Sequence, residues 1–214
     1  MKPPLVAIVP GPFQTVRTKF FRGRDSIIGV PEFDVTSILA GDLHEKLTTI
    51  GIDSMVIDTF MGDPKRQDNA WVSNLVNSSE ATLVICIRLS NGAVGANGHE
   101  YRFWHESQVG EQLALLFAAL HQKFNPKSTR RNKTGIKAFS TADSQDGHIL
   151  KNVLCPALVC RPIHSTNPHD WLHMMENMGG YSTMLASGVL QWLLATGSFD
   201  VRHNPKVGKG LQEC

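Results

Sequence analysis

The sequence has almost no excess of charge: 21 Lys and Arg stand against 19 Asp and Glu among 214 residues, a formal net charge of +2 at pH 7. A chain so balanced carries no electrostatic signature of a nucleic-acid or acidic-membrane partner. Long apolar runs are also missing. The longest, such as Leu83–Ile87, fall far short of the ~18 residues that a membrane-spanning helix needs. Residues 1–15 (MKPPLVAIVPGPFQT) hold one Lys, several prolines and no extended apolar stretch, so no signal peptide is visible and synthesis in the cytoplasm is expected. Cys86, Cys155, Cys160 and Cys214 show no CxxC spacing, which removes zinc ribbons and thioredoxin-type motifs. Three of the four lie in or beside apolar runs and read as buried free thiols. What is present is core material: 42% of residues are hydrophobic and 19% charged, which excludes an intrinsically disordered chain.

The apolar pattern alternates between strand and helix. Leu5–Pro10 is a short β-branched run closed by Pro10-Gly11 and reads as a buried strand. Residues 12–31 read as a long irregular loop carrying Arg17, Lys19, Arg22 and Arg24. From Asp34 the spacing predicts a helix with Val35, Ile38, Leu39, Leu43, Leu47 and Ile50 on one face, stopped by Gly51. A strand over Asp53–Thr59, a helix over Gln67–Ser79 and a strand over Ala81–Leu89 follow. Asn91–Gly98 is a turn and Glu100–Trp104 is extended. Ser107–Phe124 is an amphipathic helix with Val109, Leu113, Leu116, Phe117, Leu120 and Phe124 inward. The basic stretch from Lys127 to Lys137 reads as a solvated loop, having no interleaved aromatics. Gly135–Phe139 and His148–Asn152 read as extended, Pro156–Pro162 as a buried strand and Tyr181–Leu194 as a helix. The expected fold is a single three-layer α/β/α domain over residues 1–198, with a mostly parallel central sheet, the 12–31 loop as an insertion and 199–214 as a tail.

Several motifs follow one another in a recognisable order. Ile8-Val9-Pro10-Gly11-Pro12 closes the first strand, and Gly29-Val30-Pro31-Glu32-Phe33-Asp34-Val35-Thr36 opens the first helix. Ala81-Thr82-Leu83-Val84-Ile85-Cys86-Ile87-Arg88-Leu89-Ser90 forms a strand, Gly98-His99-Glu100-Tyr101 follows it, and Ile149–Arg161 and Thr166-Asn167-Pro168 complete the series. In this order the chain resembles the zinc-dependent N-acetylmuramoyl-L-alanine amidases, which cut the bond between the peptidoglycan sugar and its stem peptide. The resemblance runs from about Val6 to Leu194.

The resemblance implies a zinc site with three protein ligands and a carboxylate base. Its ligand positions fall here on Pro12, Glu32 and Arg88, and the base on Arg161. Proline offers no side-chain donor, and a permanently protonated guanidinium offers no lone pair. This degenerate set leads to the expectation of a pseudoenzyme with no catalytic residue, no metal and no cofactor. Glu32 then needs another countercharge, so Glu32, Arg88 and Arg161 are expected to form a substitute ion-pair cluster. The alternative is that both arginines turn to solvent.

Other patterns are weaker. His169 and His173 share a helical face at i and i+4 but lack the Glu of H-E-x-x-H, so they read as a solvated pair. His99, His105, His164 and His169 are the candidates for relocated zinc ligands. Tyr101, Phe103 and Trp104 are either covered by the following helix or exposed as interface anchors. Ser140, Ser144 and His148 form no G-x-S-x-G elbow, and Gly92–Gly98 forms no nucleotide loop.

Together the resemblance and the missing ligands point to an inactive amidase-fold building block of a phage virion tail or baseplate. It would be made in the host cytoplasm and assembled with other virion proteins. Two alternatives stand beside it: a module that binds peptidoglycan without cutting it, and an active amidase with relocated ligands.

Overall fold

In the computed structural model the described residues are 3–11, 14–16, 19–21, 26–57, 69–91, 95–129, 133–142 and 144–199, with side chains excluded for 14–16 and 19–21. Four strands form the parallel part of the central sheet: β1 (Leu5–Pro10), β4 (Asp53–Val56), β5 (Leu83–Ile87) and β8 (Ala157–Arg161). β6 (Glu100–Trp104) pairs antiparallel with β8, and β7 (Ile136–Phe139) pairs parallel with β6. The strand order is β4-β1-β5-β8-β6-β7. β2 (Gln14–Val16) and β3 (Lys19–Phe21) pair separately and antiparallel, so these two stretches of the expected 12–31 loop are extended. The expected tail beyond residue 199 lies outside the described residues, and Phe199 itself is buried.

β1, β5 and the first four residues of β8 are apolar throughout because both faces of the sheet are covered there, whereas β4 at the edge carries Asp53 and Ser54. Val6, Ile8, Leu83, Ile85, Leu158 and Cys160 point into a core shared with α1 (Glu32–Thr49), α3 (Gln108–Phe124), α5 (Pro168–Glu176) and α6 (Met178–Ala195). Ala7, Val9, Val84, Cys86, Ala157 and Val159 point the other way, onto α2 (Asn69–Ser78) and α4 (Gln145–Asn152). This is the three-layer α/β/α architecture that the alternating pattern predicts.

Some local expectations change. His148–Asn152, expected to be extended, lies in helix α4 (Gln145–Asn152), whose start is capped where the Ser144 side chain accepts from the Gly147 N–H. Ile38 (60% exposed), Val109 and Leu194 face outward at the edges of their helices' apolar stripes. Phe103 is buried and Trp104 is half-buried against the α2/α4 face. α5 starts at an Asn167 cap that accepts from the His169 and Asp170 N–H groups, with Pro168 in the first turn, where its missing N–H leaves no bond unmade.

α3 and α6 approach closely where Gly188 meets the Phe117 ring. A Cβ at Gly188 would sit 2.6 Å from Phe117 Cζ, and the fully buried ring has no space to retreat. Gly188→Ala is therefore expected to lower stability by about 1–3 kcal/mol, read as a fall in the urea midpoint with an unchanged m-value.

Candidate functional site

The chain leaves β1 for β4 on one side and later returns to β5 on the other, so the carboxyl ends of β1 and β5 diverge at a topological switch point. Gly11 and Arg88 sit at those two ends. Side chains along each strand alternate between faces, and this period places Arg88, two residues beyond Cys86, on the α4 side. Arg161, two beyond Val159, falls on the same side. Because β6 runs antiparallel, its amino end lies beside the carboxyl end of β8, and Glu100 is directly opposite Arg161. Arg102, two residues on, shares that face.

These side chains converge on Asp146 in the first turn of α4. Its carboxylate accepts from Arg161 Nη2 at 2.7 Å and Arg102 Nη1 at 2.8 Å, and lies 3.5 Å from Arg88 Nε. Arg102 Nε also donates to Glu100 Oε1 at 2.5 Å. Arg88 Nη1 donates to the Val9 and Ile87 carbonyls at 3.2 and 3.0 Å. Arg88 is 2% exposed and Asp146 4%. Burial alone would raise the Asp146 pKa, but Arg161, Arg88 and Arg102 outweigh it and hold the carboxyl below its usual range.

Glu32 enters from the opposite layer, as the first residue of α1. Its carboxylate accepts from the Leu89 N–H at 2.7 Å and from Asn91 Nδ2 at 3.1 Å. Burial raises its pKa, and the Leu89 bond, Arg161, Arg88 and Asn91 only partly offset that. The direct pairing expected between Glu32 and the arginines is replaced by another arrangement. Among the described residues, Arg88 and Arg161 pair within 4.0 Å with Asp146, because both arginines project on the α4 side whereas Glu32 arrives from α1. The Leu89 backbone joins the two halves: its N–H donates to Glu32 and its carbonyl accepts from Arg161 Nη1 at 3.3 Å. Pro12 lies outside the described residues.

A zinc ion, which the sequence resemblance implies, does not fit this residue set. The guanidinium at position 88 has no lone pair to give. Both Glu32 oxygens already accept hydrogen bonds, and Asp146 is committed to three arginines. Among the described residues no group of three or more His, Cys, Asp or Glu is placed to hold a metal. The candidate substitute ligands are dispersed. His105 and His169 are exposed, and His164 is buried beside the Ser90 bridge. His99 stacks on His121, with ring centroids 4.0 Å apart.

That stack belongs to a second polar cluster in the α3–α6 layer. His99 Nδ1 lies 2.9 Å from Ser128 Oγ, His121 Nδ1 2.8 Å from Tyr101 Oη, and His173 Nδ1 3.0 Å from Tyr181 Oη. His173 is thus part of this buried network rather than one of a solvated pair. Burial, aided by His99 and His173, holds the His121 pKa well below its usual value. Cys86 and Cys160 are buried free thiols, and burial pushes Cys86 up to about 12, so it is no nucleophile at neutral pH.

No protein-family profile matches the chain, and no curated protein matches it significantly. Solved structures do. The N-acetylmuramoyl-L-alanine amidase from Clostridium difficile 630 superposes with a TM-score of 0.72 at 20% identity, covering 90% of this chain and 98% of that one. Ami1, the corresponding amidase from Mycobacterium smegmatis, gives 0.74 at 16% identity over 90% and 97%. AmiC2 of Nostoc punctiforme gives 0.71 at 18% identity over 89% and 97%. The chain therefore has the N-acetylmuramoyl-L-alanine amidase fold. These neighbours correct the expectation of a non-enzyme. That expectation rested on a few aligned ligand positions, whereas the fold shared over nine-tenths of the chain is that of amidases, and the crevice keeps a buried carboxyl of raised proton affinity.

The buried charges have measurable consequences for stability. Asp146→Asn leaves three guanidinium groups short of their shared anion and is expected to lower stability by about 3–5 kcal/mol, measured by urea unfolding at pH 7. In the wild type, Asp146 binds its proton less readily folded than unfolded, so its contribution is lost as pH falls through the acid range. Glu32, with its raised pKa, acts in the opposite sense.

His121 also binds a proton less readily when folded. Stability is then full above the unfolded value of about 6.5 and declines as pH falls below it. Unfolding midpoints between pH 7.5 and 5 should show this decline, and His121→Gln, which offers Tyr101 an amide partner, should flatten it.

Proposed function

We propose that the chain acts on peptidoglycan, holding the junction between the N-acetylmuramoyl sugar and its stem peptide at the carboxyl ends of β1, β5 and β8. The observation that carries this reading is the position of the Glu32–Arg88–Arg161 group at the switch-point crevice of an amidase fold. Arg161 is the more accessible of the two arginines, its side chain 19% exposed against 2% for Arg88. A guanidinium at the rim suits a peptide carboxylate, which it can engage bidentately. Glu32 suits a group that gives or takes a proton during amide hydrolysis, since a carboxyl with a raised pKa exchanges its proton nearer neutral pH.

The reading is tested by co-sedimentation with purified cell-wall sacculi, followed by mass spectrometry of the supernatant for free stem peptide. Saturable binding with stem-peptide release above a protein-free control is the expected result. Arg161→Ala should weaken binding about tenfold, the loss of one charge-assisted hydrogen bond, with Arg161→Lys as a charge-retaining control. Neither binding nor release would overturn the reading.

A second reading, a component of a phage tail or baseplate built in the host cytoplasm with other assembly proteins, draws on one surface feature. Ile27 and Ile28 are 43% and 66% exposed in a turn held by the Ser26 hydroxyl, which accepts from the Ile28 and Val30 N–H groups. An apolar pair presented on a fixed turn suits an anchor for a neighbouring chain. Light scattering of the wild type and of Ile28→Lys separates the readings: self-association lost in the variant favours assembly.

A further inference from the structure

We propose that Arg88 is a resident cation. Its guanidinium takes the position and the cross-linking role that a divalent metal would have at the carboxyl edge of the sheet, so the chain neither takes up nor depends on a divalent metal there. The inference goes beyond the peptidoglycan reading and does not rest on it, because its readouts need no substrate.

A metal at such an edge does two things: it balances buried carboxylates, and it ties together the ends of several elements. Arg88 does both. Its guanidinium bonds the Val9 carbonyl of β1 and the Ile87 carbonyl of β5, and approaches Asp146 of α4. Three elements from three stretches of sequence are thus joined through one side chain. The space is also taken, since a Cβ at Gly11 would overlap the guanidinium, and the backbone turn after β1 lies directly against it. The charge is already closed among the described residues. Arg88, Arg102 and Arg161 face Glu32, Glu100 and Asp146, three positive groups against three negative. Adding a dication to this weakly solvated group would leave two uncompensated charges, which burial penalises heavily. The planar fork also divides the bonding as the site requires. Nη1 faces the two carbonyls while Nε faces the carboxylate, a division that a lysine ammonium cannot reproduce.

The experiment combines elemental analysis with thermal unfolding of the full chain. Wild-type protein incubated with excess zinc and passed through gel filtration should retain well under one zinc per chain. Its unfolding midpoint should be the same with zinc, without it and with a chelator. Arg88→Met keeps the apolar stem and removes the charge. It should lower the midpoint by roughly 6–20 °C, in zinc and in chelator alike. Arg88→Lys, retaining charge without the fork, should fall between the two and stays measurable if the methionine variant does not fold. Near-stoichiometric zinc with a chelator-sensitive midpoint would overturn the proposal, as would a methionine variant as stable as the wild type. Failure of the sacculus assay would leave these readouts untouched.

Discussion

The Asp146 carboxylate is the point on which the carboxyl edge of this fold depends. It is buried, it is singly charged, and arginines from the end of β5, from β6 and from the end of β8 meet it. Ions removed from water tolerate little error in geometry, since each one left unpaired is expensive. Helix α4 must therefore start where it does. The Ser144 cap and the place of Asp146 in the first turn, where the helix dipole also favours an anion, are parts of one arrangement.

The two sides of the sheet contribute opposite chemistry to the crevice. The α4 side brings arginines and their shared anion, while the α1 side brings Glu32 to the amino end of a long helix. Only the backbone of one residue, Leu89, separates them. Its N–H, in the peptide before its Cα, donates to a carboxylate, and its C=O, in the peptide after it, accepts from a guanidinium, so each of two successive peptide dipoles has a charge at one end. The proton affinity of Glu32 is thereby linked to the position of Arg161 without contact between the two side chains.

Much of the fold was legible because its signals are local. The β-branched runs of β1, β5 and β8 and the apolar spacing of α1, α3 and α6 follow from burial on both faces of a sheet. The motif order also brought Glu32, Arg88 and Arg161 to one region. Asp146 escaped notice because nothing in the stretch around it has strong periodicity. Its signal was the serine cap two residues before it, and with α4 read as extended that cap had no helix to begin. The pairing of the arginines was likewise hidden. The family resemblance placed them near Glu32, but which side of the sheet each residue leaves from depends on the strand register. The buried partnership of His99, His121 and His173 joins residues from a strand end and two helices, a juxtaposition that no linear pattern carries.

The antiparallel seam between β6 and β8 has a consequence for how this strand finds its place. β6 reads Glu100-Tyr101-Arg102-Phe103-Trp104, with charged and aromatic side chains alternating from Glu100 to Phe103. A slip of one residue against β8 would send Tyr101 and Phe103 into the arginine pocket and drive Glu100 and Arg102 into the apolar layer beneath α3 and α6. No intermediate alignment is tolerable, so the ionic cluster works as a lock-and-key code for strand alignment. Hydrophobic burial alone would draw the strand into the sheet, but the charges decide which of the neighbouring alignments it keeps.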